Sequence, residues 1–168
     1  MKKQKLNLGC GEDYRKEWIN LDNDKNLRVD VFHDITQILP FKDNTFDEVL
    51  CSHVLEHIGD TFKLIAEIRR VCKNDAKVIF HIPHWSNFTA YGTMFHKHYY
   101  SHLIYREFYG YKIKKISFNC YRRNKNPVLI ALKPIINFLN NINLTFTELL
   151  LCRFLPVAEV IMEFEVVK

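Results

Sequence analysis

Near the start of the chain, Lys5-Leu6-Asn7-Leu8 runs directly into Gly9-Cys10-Gly11-Glu12. The first four residues read as a short apolar strand, and Gly-x-Gly reads as a sharp turn at its carboxyl end. Glycine lets the backbone turn there and approach a ligand without Cβ hindrance. Alone the pattern is weak. It gains force from three later segments at useful spacing: Asn20-Leu21-Asp22, His33-Asp34-Ile35, and Phe46-Asp47-Glu48-Val49-Leu50-Cys51-Ser52-His53-Val54-Leu55-Glu56-His57-Ile58.

Taken in order, the chain predicts strands at Lys5–Leu8, Trp18–Asp22, Val29–Val31 and Phe46–Cys51. The gap from Glu12 to Glu17 leaves room for a first helix of only a turn or two. Ile35–Asn44 carries Pro40 and Asp43-Asn44 and reads as loop. Asp60 can cap a helix to about Lys73, with Leu64, Ile65, Ile68, Val71 and Cys72 on one face. A turn at Asn74-Asp75 then leads into a strand at Lys77–Ile82. His84–His98 lacks a clean period and reads as a functional loop, Ser101–Tyr109 as a helix and Tyr111–Cys120 as a strand. Pro127–Asn140 is an apolar helix that Pro134 should kink or split. Thr145-Phe146-Thr147-Glu148 has the pattern of a capping box opening a short helix, and Val157–Val167 reads as a last strand. Strands alternating with helices, with an antiparallel pair at the end, predict an α/β sandwich around a mostly parallel sheet. In such a sheet ligands lie at the carboxyl ends of the strands, where Gly9, Gly11, Asp22, Asp34, Ser52 and His53 all fall.

A length of 168 residues suits one domain spanning 1–168, with a helical apolar insert at about 121–156. The net charge of +5 permits an acidic partner without demanding one. Cys10, Cys51, Cys72, Cys120 and Cys152 are odd in number and never form C-x-x-C, which argues for reduced thiols and a cytoplasmic setting. Met1-Lys2-Lys3-Gln4 enters a strand directly, so no signal peptide is expected, and no run of 18 apolar residues predicts a membrane span.

The motifs LNLGCG, WINLD, HDITQILPF, FDEVLCSHVLEHI, EIRRVCK and IPHWS together resemble the class I S-adenosylmethionine-dependent methyltransferases, in the small "type 11" group. The resemblance runs from Lys5 to about His98 and more loosely beyond. It implies a Rossmann-like fold and S-adenosylmethionine as cofactor. Leu8, Gly9, Cys10 and Gly11 would face its methionine part, Asp22 the ribose hydroxyls, Asp34 and Ile35 the adenine, and Ser52 and His53 the methyl-donor end. Glu56 and His57 would be structural. The chain departs from the family in lacking the third glycine, where Asp13 and Tyr14 stand, in its short first helix, and in reading Asn74-Asp75-Ala76 for Pro-Gly-Gly. A shallower cofactor pocket is the expectation.

The implied reaction is methyl transfer to oxygen or nitrogen of a small-molecule, glycan or lipid-linked acceptor. For a hydroxyl acceptor, His53, His84 or His96 could serve as base. Pro83-His84-Trp85-Ser86 and Thr93-Met94-Phe95-His96-Lys97-His98 would cover the acceptor side, with Trp85, Phe88, Tyr91, Phe95, Tyr99 and Tyr100 favouring a flat, apolar or sugar-like group. The crowding of His81, His84, His96, His98 and His102 does not predict a metal site, because no acidic or cysteine partner lies near in sequence. Lys112, Lys114, Lys115, Arg122, Arg123 and Lys125 precede the apolar segment 127–155. That segment reads first as a lid or homodimer face and second as a peripheral membrane contact. Nucleic acid is disfavoured despite Tyr121 in the basic run, since no recognised module is present. From a different class, a catalytically silent cofactor-binding or interaction module fits the short first helix and the apolar insert. A nicotinamide-binding Rossmann protein is disfavoured by Tyr14 and by the Ser52–His57 segment.

Overall fold

Parallel pairing places β1 (Lys5–Leu8) between β2 (Ile19–Asp22) and β4 (Phe46–Ser52). The computed structural model describes residues 3–87, 90, 95–120, 127–154 and 157–168, and its sheet runs β3-β2-β1-β4-β5-β7-β6. Here β3 is Val31–Phe32, β5 is Cys72–Pro83, β6 is Tyr111–Asn119 and β7 is Glu159–Val166. All pairs through β5 are parallel, whereas β7 lies antiparallel between β5 and β6. The mostly parallel sheet with an antiparallel ending is therefore as the sequence predicts. The chain leaves β1 toward β2 and β3, then crosses back to β4, so a crevice opens at the carboxyl end of β1.

One face of the sheet is apolar and the other largely polar: by register Leu6, Leu8, Leu21, Val49, Cys51, Val78 and Phe80 share the first, and Asn7, Asn20, Glu48, Lys77 and His81 share the second. The first set is fully buried. Helix α1 (Thr61–Val71) buries Leu64, Ile65, Ile68 and Val71, and Asp60 caps it by accepting from the Lys63 amide at 3.0 Å. Cys72, expected to continue that helix, instead pairs with Phe46 as the first residue of β5. The turn chemistry of Asn74-Asp75 becomes an irregularity within the strand, with Asp75 at φ 61°. The third strand starts later than expected because Asp30 is turned toward Asn20, accepting from its backbone and side-chain nitrogens at 2.8 Å.

No helix forms between β1 and β2. Asn7 and Asn20 hold the link in its place. Asn7 Nδ2 donates to the Asp13 carbonyl and to Asn20 Oδ1, and Asn20 Oδ1 also accepts from the Arg15 amide. Ser101–Tyr109 tightens to a 3₁₀ turn over His102–Glu107, capped by Ser101.

Helix α2 (Pro127–Ile142) is continuous through Pro134. The carbonyl that Pro134 deprives of a partner belongs to exposed Ile130, where water can satisfy it. The helix docks by a side that carries Asn137, Asn140 and Asn141 beside buried Ile136. β6 is an edge strand, and Asn141 accepts from the Phe118 amide at 2.7 Å while donating to the Phe118 carbonyl at 2.8 Å. Asn137 accepts from the Cys120 amide at 2.8 Å. These carboxamides pair with edge groups as another strand would. Ile135, Phe138, Leu139 and Ile142 are left as an exposed apolar stripe. Of the expected insert and basic run, residues 121–126 and 155–156 lie outside the described residues. Among those described, no helix is long and apolar enough to cross a membrane.

Helix α3 (Leu144–Leu149) is capped by Asn143, which accepts from the Phe146 amide, and not by a Thr145–Glu148 box. Glu148 is drawn elsewhere. Its Oε1 accepts from His84 Nε2 at 3.0 Å and the His102 amide at 2.7 Å, and its Oε2 accepts from Ser101 Oγ at 2.8 Å. Burial would raise this carboxyl, but those donors outweigh it and hold it down at about 2. A carboxyl depressed in the folded state stabilises fully above its unfolded value and loses that contribution as pH falls toward the folded one. Stability should therefore decline between pH 4.5 and about 2. Glu148→Ala should lower unfolding stability by about 3 kcal/mol and Tm by roughly 10 °C at neutral pH, measured by thermal denaturation. An unchanged Tm would show that this cluster does not anchor α3.

Candidate functional site

The turn after β1 is pinned to its neighbour: the Gly9 and Cys10 amides both donate to the Leu21 carbonyl, at 2.9 and 3.0 Å. Gly9 takes φ 65° and Gly11 φ 52°, the left-handed region that glycine adopts without strain. A Cβ on Gly9 would lie 2.4 Å from Val54 Cγ2, whereas a Cβ on Gly11 would meet nothing within 4 Å. The first glycine thus permits close packing, and the second borders open space. Gly11 also donates its amide to Asp22 Oδ2 at 2.9 Å. Asp22 Oδ1 accepts from the Asn23 and Asp24 amides at 2.8 and 3.1 Å, so Oδ2 retains an acceptor position.

Two clefts meet at this turn. One, of about 340 Å³, is bordered by Gly11, Asp22, Asp34, Ile35, His53 and His57. The other, of about 530 Å³, is bordered by Asn7, Cys10, Glu12, Asp13, Ser52 and His53, and both include Gly9. Their combined scale is that of a small-molecule site. Asp34 Oδ1 accepts from the Thr36 amide and hydroxyl at 2.9 and 2.8 Å, which lowers its carboxyl. Cys10 is a poor nucleophile, because burial first and Asp22 second push its thiol up to about 11. Leu8 is fully buried in the core and borders neither cleft.

His53 follows β4 with φ 56°, a backbone conformation that costs a non-glycine residue on the order of 1–3 kcal/mol. Its ring is held between two carboxylates. Nε2 donates to Glu159 Oε2 at 2.9 Å, and Nδ1 lies 3.3 Å from Glu56 Oε1. Burial would raise the Glu159 carboxyl, but donation from His53 and Asn119 more than offsets this and keeps it at about 2. A ring committed as donor to a buried carboxylate is held in orientation, and its Nε2 is not free to take a proton from an acceptor.

The other two candidate bases part company. His84 is fully buried, with Nε2 on Glu148 and Nδ1 2.7 Å from Ser86 Oγ, so it anchors α3 and cannot meet an acceptor. His96 is partly exposed and packs edge-on against His57, ring centroids 4.8 Å apart. Phe95 and Tyr99 of the aromatic loop are exposed, while Phe88, Tyr91, Thr93 and Met94 lie outside the described residues. Asn23, Thr36, Val54 and Ile58 also form the cleft wall, and Glu159 is the partner of His53, none of them expected from the sequence motifs. The first four sit beside motif residues and could have been taken with them. Glu159 is 106 positions from His53, on an ordinary alternating strand that gives no signal.

The residues fit the implied cofactor in two respects. An acidic strand end is braced at a glycine turn, and open space lies where a Cβ would stand on Gly11. Residues 7–80 match the family described as "Methyltransferase domain". An uncharacterised protein of Methanocaldococcus jannaschii is 61% identical over 41 residues, 24% of this chain and 18% of that protein. The curated relatives are matched over only 18% and 35% of their own lengths. A Haloferax volcanii methyltransferase solved in complex with the Trm112 activator superposes with TM-score 0.69 at 16% identity, covering 99% of this chain and 83% of that one. A SAM-dependent methyltransferase from Archaeoglobus fulgidus gives TM-score 0.68 at 19% identity, covering 97% and 86%. Residues 7–80 thus match a methyltransferase-domain family, and the chain as a whole has the fold of the S-adenosylmethionine-dependent methyltransferases.

Proposed function

We propose that the chain is an S-adenosylmethionine-dependent methyltransferase acting on an oxygen or nitrogen acceptor of a small molecule, glycan or lipid-linked compound. The observation that carries this reading is the Gly11–Asp22 bond at the junction of the two clefts. Asp22 Oδ2 accepts from the ribose, Asp34 and Ile35 border the adenine, and the Gly9–Gly11 backbone with Ser52 holds the methionine end. The cofactor supplies a methyl already activated on a sulfonium. The protein's task is then to align the acceptor and exclude water. His53, fixed by Glu159, positions groups at the methyl-donor end. Five buried free cysteines fit a reducing, cytoplasmic setting.

Calorimetric titration should give micromolar binding of S-adenosylmethionine and S-adenosylhomocysteine and none of NAD. Asp22→Ala should weaken both by about 10- to 150-fold, the scale of a lost hydrogen bond to a charged acceptor. Equal affinity in the variant would remove Asp22 from the site.

A second reading, an interaction surface on the same chain, is favoured by the stripe of Ile135, Phe138, Leu139 and Ile142, continued by exposed Phe146 and Leu149. The Haloferax neighbour is assembled with an activator protein. A protein partner is the occupant we infer here, with a second copy of this chain as the simplest case. Light scattering should then give a dimer mass that Phe138→Asp reduces to monomer. A monomer before substitution would exclude self-association.

A further inference from the structure

We propose that Glu56, His57 and His96 form a binding site for a divalent transition-metal ion at the margin of the cleft. One ligand atom of each residue lies within 4.8 Å of those of the other two. No acid lies near the loop histidines in sequence, yet the fold brings Glu56 to His96 from 40 positions away. The decisive feature is Glu56. It is 1% exposed; its Oε1 faces His53, and its Oε2 is buried with no hydrogen-bond partner. A buried carboxyl oxygen left unpaired is costly, and a cation is a partner that would remove the cost.

The histidines are set in the form that binds metal. His57 Nδ1 lies 3.1 Å from the Phe95 carbonyl, and His96 Nδ1 lies 2.8 Å from the Ala90 carbonyl. A carbonyl only accepts, so each Nδ1 carries the proton and each Nε2 keeps its lone pair. Backbone carbonyls fix metal-binding histidines in this way, setting both tautomer and ring orientation. The two segments are also fastened to each other: the Lys97 amide donates to the Glu56 carbonyl at 2.6 Å, and His98 Nε2 donates to the Ile58 carbonyl at 2.9 Å. The site is therefore built before any ion arrives.

Two imidazoles and one carboxylate suit Zn²⁺, Fe²⁺, Co²⁺ or Mn²⁺ better than Ca²⁺ or Mg²⁺, which prefer oxygen donors. Three protein ligands leave coordination positions open, and His57 itself borders the cleft. A metal there would acidify a bound hydroxyl, so the inference deepens the methyltransferase reading by directing it to oxygen acceptors.

The test is calorimetric titration of the chelator-treated full chain with Zn²⁺, with Co²⁺ absorption as a second readout. One ion should bind per chain, raising Tm and giving the visible spectrum of nitrogen- and oxygen-ligated Co²⁺. Glu56→Gln and His96→Ala should each weaken binding at least tenfold, with the metal-free variants checked for folding by circular dichroism. Asp22→Ala should leave metal affinity unchanged, so loss of cofactor binding alone would sink the methyltransferase reading and not this one. No binding by the wild-type chain, or binding indifferent to His96→Ala, would overturn the metal site.

Discussion

The hydrogen bond from the Gly11 amide to the Asp22 carboxylate joins the two strand ends on which the cleft is built. It works because β1 and β2 are parallel and in register, Leu8 opposite Leu21, so both chains reach the same edge together. The usual device for returning a chain between parallel strands is a crossover helix. Here the return is made by a short link that two asparagines tie down, Asn7 from β1 and Asn20 from β2. A link that short leaves the glycine turn uncovered by a helix. The open space at Gly11 and the two clefts on either side of it follow from the same economy.

Local chemistry made much of this legible. The strands β1, β2 and β4 showed in their apolar runs and turn residues, and α1 showed in its period and its Asp60 cap. Sheet order could be approached as well, since glycine and acidic residues at successive strand ends agree only if those ends share one edge. What escaped was long-range. Glu148 matched a capping box in sequence but serves His84, 64 positions away, and nothing local distinguishes the two uses. His84 looked like a loop base for the same reason: its burial is imposed by α3, a helix that lies far along the chain. Pro134 carries a local cost in a helix, which exposure of Ile130 to water largely removes.

Helix α2 inverts the usual logic of an amphipathic helix. Its asparagines, with Ile136, face the protein, because the edge of β6 offers unpaired amides and carbonyls that apolar side chains cannot satisfy. Satisfying those groups fixes the rotation of the helix. That rotation alone turns Ile135, Phe138, Leu139 and Ile142 outward. The exposed stripe is thus a consequence of closing the sheet edge, and its cost in water is what a partner surface would relieve.

Three buried or largely buried glutamates, each against histidine, separate structural roles from a binding role. Glu148 accepts from His84, His102 and Ser101, and Glu159 accepts from His53 and Asn119. In both, donors outweigh the burial penalty, and both carboxyls are held near 2. These are closed arrangements, whose worth lies in anchoring α3 and in fixing the ring of His53. Glu56 is as buried as either but differs in having one oxygen without a donor, while the nearby histidines direct their protons to backbone carbonyls instead. Had His57 or His96 turned to donate to Glu56, the cluster would be a third anchor. Because the carbonyls of Phe95 and Ala90 take those protons, both Nε2 lone pairs and the unpaired Glu56 oxygen are left to accept, which is the donor set the proposed cation would use.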